Sequence, residues 1–238
     1  MRKQILFFLA VCLLLTGCGH IVPKQPPAPT PSPAPIVTPT PKPSPTPTPT
    51  PTPTPAPTPP PEVPDETLVN VQDYLPGVYV DLRYATPRNF MGRAVYDFTE
   101  ALLRYGTVKK LAVAADLLAS EGCALLIWDA YRPVEAQFHL WEICPDNTYV
   151  ANPYTGFSNH SRGNTVDITL VTLDGAEVEM PSGFDEFSAL ADREYSDVSE
   201  AAAAHANLLE QAMTAAGFVP YIGEWWHYED SVRYEVVQ

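Results

Sequence analysis

Basic side chains are scarce in this sequence. Past residue 64 it carries 10 Lys and Arg against 27 Asp and Glu, a formal charge of −17. That balance disfavours nucleic acid and anionic lipid surfaces as partners, because both repel a polyanion. It is compatible with a small zwitterionic substrate. Cysteine is scarce as well: there are four, and Cys12 and Cys18 fall in the N-terminal apolar stretch. The spacing of the other two, Cys123 and Cys144, does not match a zinc–cysteine site. If the helix after Cys123 runs back along its strand, the two sulfurs form either a disulfide in an oxidising compartment or a pair of buried thiols. Long apolar runs are missing. Ile5–Leu15 is too short to span a bilayer as a stable helix. Proline is rare in the C-terminal part, since 21 of the 28 lie between residues 21 and 64.

The N-terminus has the layout of an export signal, with Arg2 and Lys3 ahead of the apolar run. The run ends in Leu15-Thr16-Gly17-Cys18, which resembles the lipobox of bacterial lipoproteins. The resemblance implies acylation of Cys18; an ordinary secretory signal is the alternative. The proline-rich segment (linker 19–64) can build neither helix nor sheet, because proline fixes φ and lacks an N–H. As polyproline II it reaches about 130 Å at about 3.1 Å per residue. It reads as a spacer that carries a domain away from a membrane, or as a proline-rich ligand for a partner domain. The 174 residues of 65–238 suit one compact domain.

Within that domain, Leu68–Val71 and Val78–Tyr84 read as early strands. Thr99–Ser120 reads as an amphipathic helix that Gly106 and Thr107 could divide. Ala124–Trp128 is a buried strand. Asp129–Pro133 is a turn, with Pro133 as the first residue of a helix to about residue 143. Asn164–Thr172 is a strand, and Pro181–Asp197 a polar loop able to fold over a site. Ser199 caps a helix through Ala216 that Gly217 stops. Phe218–Tyr221 and Trp225–Tyr228 are closing strands. Helices set apart from a mostly antiparallel central sheet give an α+β class.

Two stretches carry chemistry. Ser158–Asp167, SNHSRGNTVD, offers His160 and Asp167; Gly223–His227, GEWWH, offers Glu224 and His227. Two imidazoles and a carboxylate form a three-ligand set for a catalytic zinc, with a fourth position left for water. A further carboxylate can serve as general base. Glu224 and His227 are three apart, so on a flat strand they point to opposite faces. Both reach one metal only if a bulge or turn re-aims one of them, which Gly223 could permit. His139 and His205 read as ordinary helix residues. Spacing alone leaves a metal site and a set of satisfied histidines equally open.

The same residues resemble a known family. Ser158–Asp167 looks like the SxHxxGxxxD zinc motif of the D-alanyl-D-alanine dipeptidases, a group that includes the vancomycin-resistance dipeptidases and is related to the zinc D,D-carboxypeptidases. Glu224-Trp225-Trp226-His227 matches their EWWH motif. Asp81–Thr86 with Asn89-Phe90, Asp129–Pro133 and Phe184-Asp185 resemble family segments in the same order. Ala130 stands where many members have glycine, and Thr165 where alanine is usual. The resemblance implies zinc held by His160, Asp167 and His227. It implies Glu224 as the base, Arg132 as the cation opposite a developing oxyanion, and Asp185 as the partner of the substrate ammonium. Ser158 would help seat the substrate and Tyr84 would line the pocket. Without it, Arg132 is a turn residue or salt-bridge partner, Asp185 a solvated carboxylate, and Ser158 and Tyr84 ordinary packing.

The expected activity is therefore zinc-dependent hydrolysis of D-alanyl-D-alanine, outside the cytoplasmic membrane and tethered by lipid. An exported enzyme meets a different substrate pool from a cytoplasmic one. A D,D-carboxypeptidase trimming peptidoglycan stem peptides is thus the enzymatic alternative. A non-catalytic wall-binding lipoprotein is the alternative of another class, against which the retained Glu224 and Arg132 argue.

Overall fold

The computed structural model of the protein describes residues 60–237. The export signal, Cys18 and the linker up to residue 59 lie outside the described residues. Among those described, no helix is long and apolar enough to cross a membrane.

The elements in chain order are β1 (Leu68–Asn70), α1 (Val71–Tyr74), β2 (Tyr79–Val80), β3 (Leu102–Arg104), α2 (Tyr105–Ser120), β4 (Cys123–Asp129), α3 (Val134–Ile143), β5 (Thr165–Thr172), α4 (Glu200–Ala215), β6 (Phe218–Pro220) and β7 (His227–Asp230). The main sheet has the order β2-β4-β5-β7-β6. The β2–β4 pair is parallel and the other three pairs are antiparallel. The expected α+β class with a mostly antiparallel sheet is the one found. β1 and β3 form a separate two-stranded ribbon.

β4 reads Cys-Ala-Leu-Leu-Ile-Trp-Asp and is largely apolar, β5 reads Thr-Val-Asp-Ile-Thr-Leu-Val-Thr and mixes apolar residues with threonines and Asp167, and nearly every residue of both is buried. Helices α2 and α4 pack on each other and against β4 and β6. Leu111 and Leu118 of α2, Leu125 and Ile127 of β4, Ile168 of β5 and Leu209 and Met213 of α4 are all fully buried in this core. Burying each such side chain contributes about 1.5–3 kcal/mol relative to leaving it in water.

Four boundaries differ from the sequence expectation. The apolar stretch from Thr99 is not helical at its start. Leu102–Arg104 pairs with Leu68–Asn70 and the helix begins only at Tyr105, because ribbon pairing satisfies those backbone groups and buries Leu103. The strand expected over Val78–Tyr84 narrows to Tyr79–Val80, and Arg83–Ala85 forms a 3-10 turn. Pro133 is the N-cap of α3 rather than its first residue. The closing strands are Phe218–Pro220 and His227–Asp230, since Trp225 and Trp226 occupy a turn. Cys123 and Cys144 are free thiols.

Candidate active site

Strand register brings the site together. Asp167 of β5 lies directly opposite His227 of β7, and also opposite Asp129 of β4. Directly opposed residues share a face, so the three side chains stand in a row across three strands. Asp129 reaches that row because the β4–β5 register shifts between Ile127 and Asp129. Leu126 pairs with Thr169, on the same face as Asp167; a regular strand would then turn Asp129 away. The bulge supplies the missing residue and turns it back.

His160 arrives from a 3-10 turn, Asn159–Arg162, just ahead of β5. Ser158 is its N-cap and accepts a hydrogen bond from the His160 N–H at 3.3 Å. Gly163 ends the turn at φ 73°, a conformation that a residue with a side chain adopts only under strain. The His160 Nδ1–H donates to the Ala130 carbonyl at 2.7 Å. A carbonyl only accepts, so Nδ1 carries a proton, and in the neutral ring Nε2 is the lone-pair atom. That Nε2 is buried without a hydrogen-bond partner, 3.4 Å from Asp167 Oδ1.

His227 presents its other nitrogen. Nδ1 lies 2.9 Å from Asp167 Oδ1 and 3.6 Å from Glu224 Oε2, while Nε2 lies 3.5 Å from Glu229 Oε1. Glu224 and His227 share the cavity because the chain turns at Trp225-Trp226, closed by the His227 N–H donating to the Glu224 carbonyl at 3.2 Å. Both indoles are buried, and the indole N–H of Trp225 donates to Ser182 Oγ at 2.9 Å. The required turn thus exists. It owes nothing to a left-handed Gly223, whose φ is not positive.

Arg132 is held rigidly. Its Nε and one Nη donate to Asp129 Oδ2 at 3.0 and 2.7 Å, and the other Nη donates to Gln137 Oε1 at 2.9 Å. The guanidinium carbon stands 5.0 Å from the centre of the Tyr84 ring. Asp129 Oδ1 accepts in turn from Tyr96 at 2.8 Å and from the Ala130 N–H at 3.0 Å. One N–H on each Nη of Arg132 is left over from these bonds. Asp185 sits at φ 56° and accepts a hydrogen bond from the Tyr84 hydroxyl at 2.9 Å.

Tyr84, Arg132, Ser158, His160, Asp167, Asp185, Glu224 and His227 all line one cavity of about 250 Å³. Every site residue expected within the domain is therefore brought to one place. Four contributors escaped the sequence reading: Asp129, which pins Arg132; Gln137, which does the same from α3; Glu229, beside His227; and the stretch Asn147–Ala151, which forms part of the wall. The alternation of β7 could have flagged Glu229, two residues beyond His227 and so on the same face. No local signal marks the others.

The electrostatics are strongly perturbed. Burial works against charge on Asp167, but the adjoining His160 and His227 outweigh it and hold the carboxyl far below its usual range. Burial also works against the His227 cation, yet its contacts with Asp167 and Glu229 push its pKa up to about 10. Burial pushes Glu224 up to about 7; His227 pulls it back and Asp167 adds repulsion. Asp185 is raised well above the carboxylate range by burial and by Asp167. The contact with His227 lowers Glu229 to about 2.

One ring nitrogen of His160, one of His227 and an Asp167 oxygen lie within 4.8 Å of one another. Two imidazole nitrogens and one carboxylate oxygen suit zinc, and the orphaned His160 Nε2 has the one free electron pair that such an ion needs. With a carboxylate raised toward neutral pH beside them, these groups define the site of a metallopeptidase. The profile of the D-ala-D-ala dipeptidase family, Peptidase_M15, matches residues 65–234. The D-alanyl-D-alanine dipeptidase of Escherichia coli strain K12 is 38% identical over 162 residues, spanning 68% of this chain and 83% of its own. That of Enterococcus faecium is 33% identical over 178 residues, spanning 66% and 88%. The chain belongs to the D-ala-D-ala dipeptidase family. Among solved structures, VanYB in complex with D-alanine-D-alanine is a remote likeness, with a TM-score of 0.37 at 16% identity over 55% of this chain and 72% of that one.

Proposed function

We propose that the domain hydrolyses D-alanyl-D-alanine to two D-alanines and uses one zinc ion to do so. The observation that carries this reading is the convergence of a two-histidine, one-carboxylate donor set, a base and a fixed cation on one small cavity. His160, Asp167 and His227 would hold the zinc, which when bound supplies Lewis acidity toward a carbonyl and lowers the pKa of a water to about 7. Glu224, with its own pKa raised to about 7, accepts the proton of the attacking water and returns it to the leaving amine. Arg132 cannot rotate away from Asp129 and Gln137, so its unused N–H groups meet developing negative charge without reorganisation. Asp185, oriented by Tyr84, receives the substrate ammonium, whose positive charge favours the carboxylate form that burial disfavours. Ser158 shapes the His160 turn and lines the same wall.

One observation favours a longer substrate. Tyr149, Phe157 and Tyr221 line the cavity while 39%, 54% and 41% exposed, so an apolar rim surrounds a polar centre. Such a rim suits a stem peptide, and a D,D-carboxypeptidase is the second reading. The lipobox-like Cys18 and the proline-rich spacer support a lipid-anchored location outside the cytoplasmic membrane for either.

Glu224→Gln tests the assignment. Its expected outcome is zinc bound at one per chain with turnover reduced by about 10²–10⁴, the usual contribution of a general base. Undiminished turnover would remove Glu224 from the mechanism, and wild-type protein without affinity for zinc would remove the metal.

A further inference from the structure

Arg193 lies between two 3-10 turns, Ala189–Ala191 and Tyr195–Asp197, in the same coil that carries Asp185 to the cavity. Its side chain is 6% exposed. Nε donates to the Tyr221 carbonyl at 2.7 Å. One Nη donates to Glu210 Oε2 at 2.9 Å and to the Tyr228 hydroxyl at 3.1 Å. The other Nη donates to the carbonyls of Glu224 and His227, at 3.0 and 3.1 Å. A guanidinium has five N–H donors, and here all five have partners.

The placement of the last two bonds matters most. The turn from Glu224 to His227 has a single backbone bond across it. Its middle is anchored by the two buried tryptophans. Its ends, which carry the base and a metal donor, depend on what holds their peptide groups. One nitrogen of Arg193 bonds both end carbonyls, and Nε bonds Tyr221 three residues upstream of Glu224. The same coil meets the turn once more, where the Trp225 N–H donates to the Ala191 carbonyl at 2.8 Å. A charged donor makes bonds about twice as strong as a neutral one, and a planar fork loses less freedom per bond than a flexible ammonium.

We infer that Arg193 is a positioning residue that sets the aim of Glu224 and His227 by bonding the carbonyls at both ends of the turn between them. Its effect on rate rests on the proposed hydrolytic reading, whereas its effect on metal binding rests only on the donor set. Lysine at this position keeps the charge facing Glu210 but cannot span three carbonyls in one plane.

The test compares Arg193→Lys with Glu210→Gln in the full chain. Glu210→Gln removes the ion pair and leaves the three carbonyl bonds in place, so it reports what the charge pair alone contributes to the fold. Zinc affinity is read by competition with a chelator, and kcat and KM with D-alanyl-D-alanine. The expected result for Arg193→Lys is zinc affinity lowered by about tenfold or more and kcat by about 10–100-fold, with KM within about twofold. Glu210→Gln stays within about twofold of wild type in all three. Equal losses in the two variants, or unchanged zinc affinity in Arg193→Lys, would overturn the inference. Arg193→Gln, which keeps N–H donors able to reach one carbonyl, is read the same way if the lysine variant does not fold. Failure of both variants to fold would assign Arg193 to the fold alone and overturn the inference too. Wild type that binds zinc but leaves the dipeptide intact would sink the hydrolytic reading, and the zinc affinities would still decide the role of Arg193.

Discussion

Asp129 and Arg132 form a buried ion pair in which one carboxylate oxygen takes two guanidinium bonds, at 3.0 and 2.7 Å, and the His160 segment docks beside them through the Arg132 N–H and the Ala130 carbonyl. Asp129 is fully buried and Arg132 is 8% exposed. Removing one partner of such a pair leaves the other charged, desolvated and alone. Asp129→Ala is therefore expected to lower stability by about 3–5 kcal/mol, measured by urea unfolding. A change under 1 kcal/mol would mean that water or another acid takes over the pair.

Glu229→Gln tests the support behind His227. The Glu229 carboxylate lies 3.5 Å from His227 Nε2, on the nitrogen turned away from Asp167. Loss of such a carboxylate typically lowers metal affinity by 10–100-fold, because it orients the ring and raises its basicity. The expected outcome is a drop of about that size in chelator competition, together with some loss of stability in the metal-free protein, where Glu229 also holds the His227 cation.

Gly163→Ala acts on the turn that delivers His160. The glycine is at φ 73°, and an added Cβ would come within 2.6 Å of Leu68 Cδ2. Leu68 can move, but the backbone angle cannot relax without displacing the turn. A loss of about 1–2 kcal/mol in stability is expected, together with weaker zinc binding. Wild-type affinity in this variant would show that His160 holds its position without the left-handed residue.

Proton release accompanies metal binding. His227 is raised to about 10, so at pH 7 the metal-free site holds a proton that zinc must displace. Calorimetry in two buffers of different ionisation enthalpy should show at least one proton released per zinc at pH 7, with affinity weakening as pH falls. The folding linkage has a definite sign. A histidine whose pKa is raised on folding, from about 6.5 in the unfolded chain, adds stability that is fully present below pH 6.5. That stability is lost as pH rises through 10, so the metal-free protein should weaken across that window. Zinc binding without proton release would contradict the assignment.

The donors were legible in the sequence because His160 and Asp167 flank one glycine turn and Glu224 and His227 sit in one short motif. The helix over Glu200–Ala215 was legible too, from its Ser199 cap and its Gly217 stop. Asp129 was not, because a bulge decides which face it takes, and nothing in the local pattern of β4 announces a bulge. Arg193 was hidden for a related reason: its partners are 17 to 35 residues away and mostly backbone carbonyls, which carry no residue identity. The strand at Leu102–Arg104 was masked by apolar spacing that suits a helix equally well, and only its pairing with Leu68–Asn70 settles it.

The most direct test follows D-alanine release by the zinc-loaded protein from free D-alanyl-D-alanine, beside an N-acylated peptide ending in the same pair. The account predicts rapid cleavage of the free dipeptide and, with Asp185 receiving its ammonium, much slower cleavage of the acylated peptide. Preference for the acylated peptide would transfer the activity to the carboxypeptidase reading, and cleavage of neither with zinc bound would contradict the account.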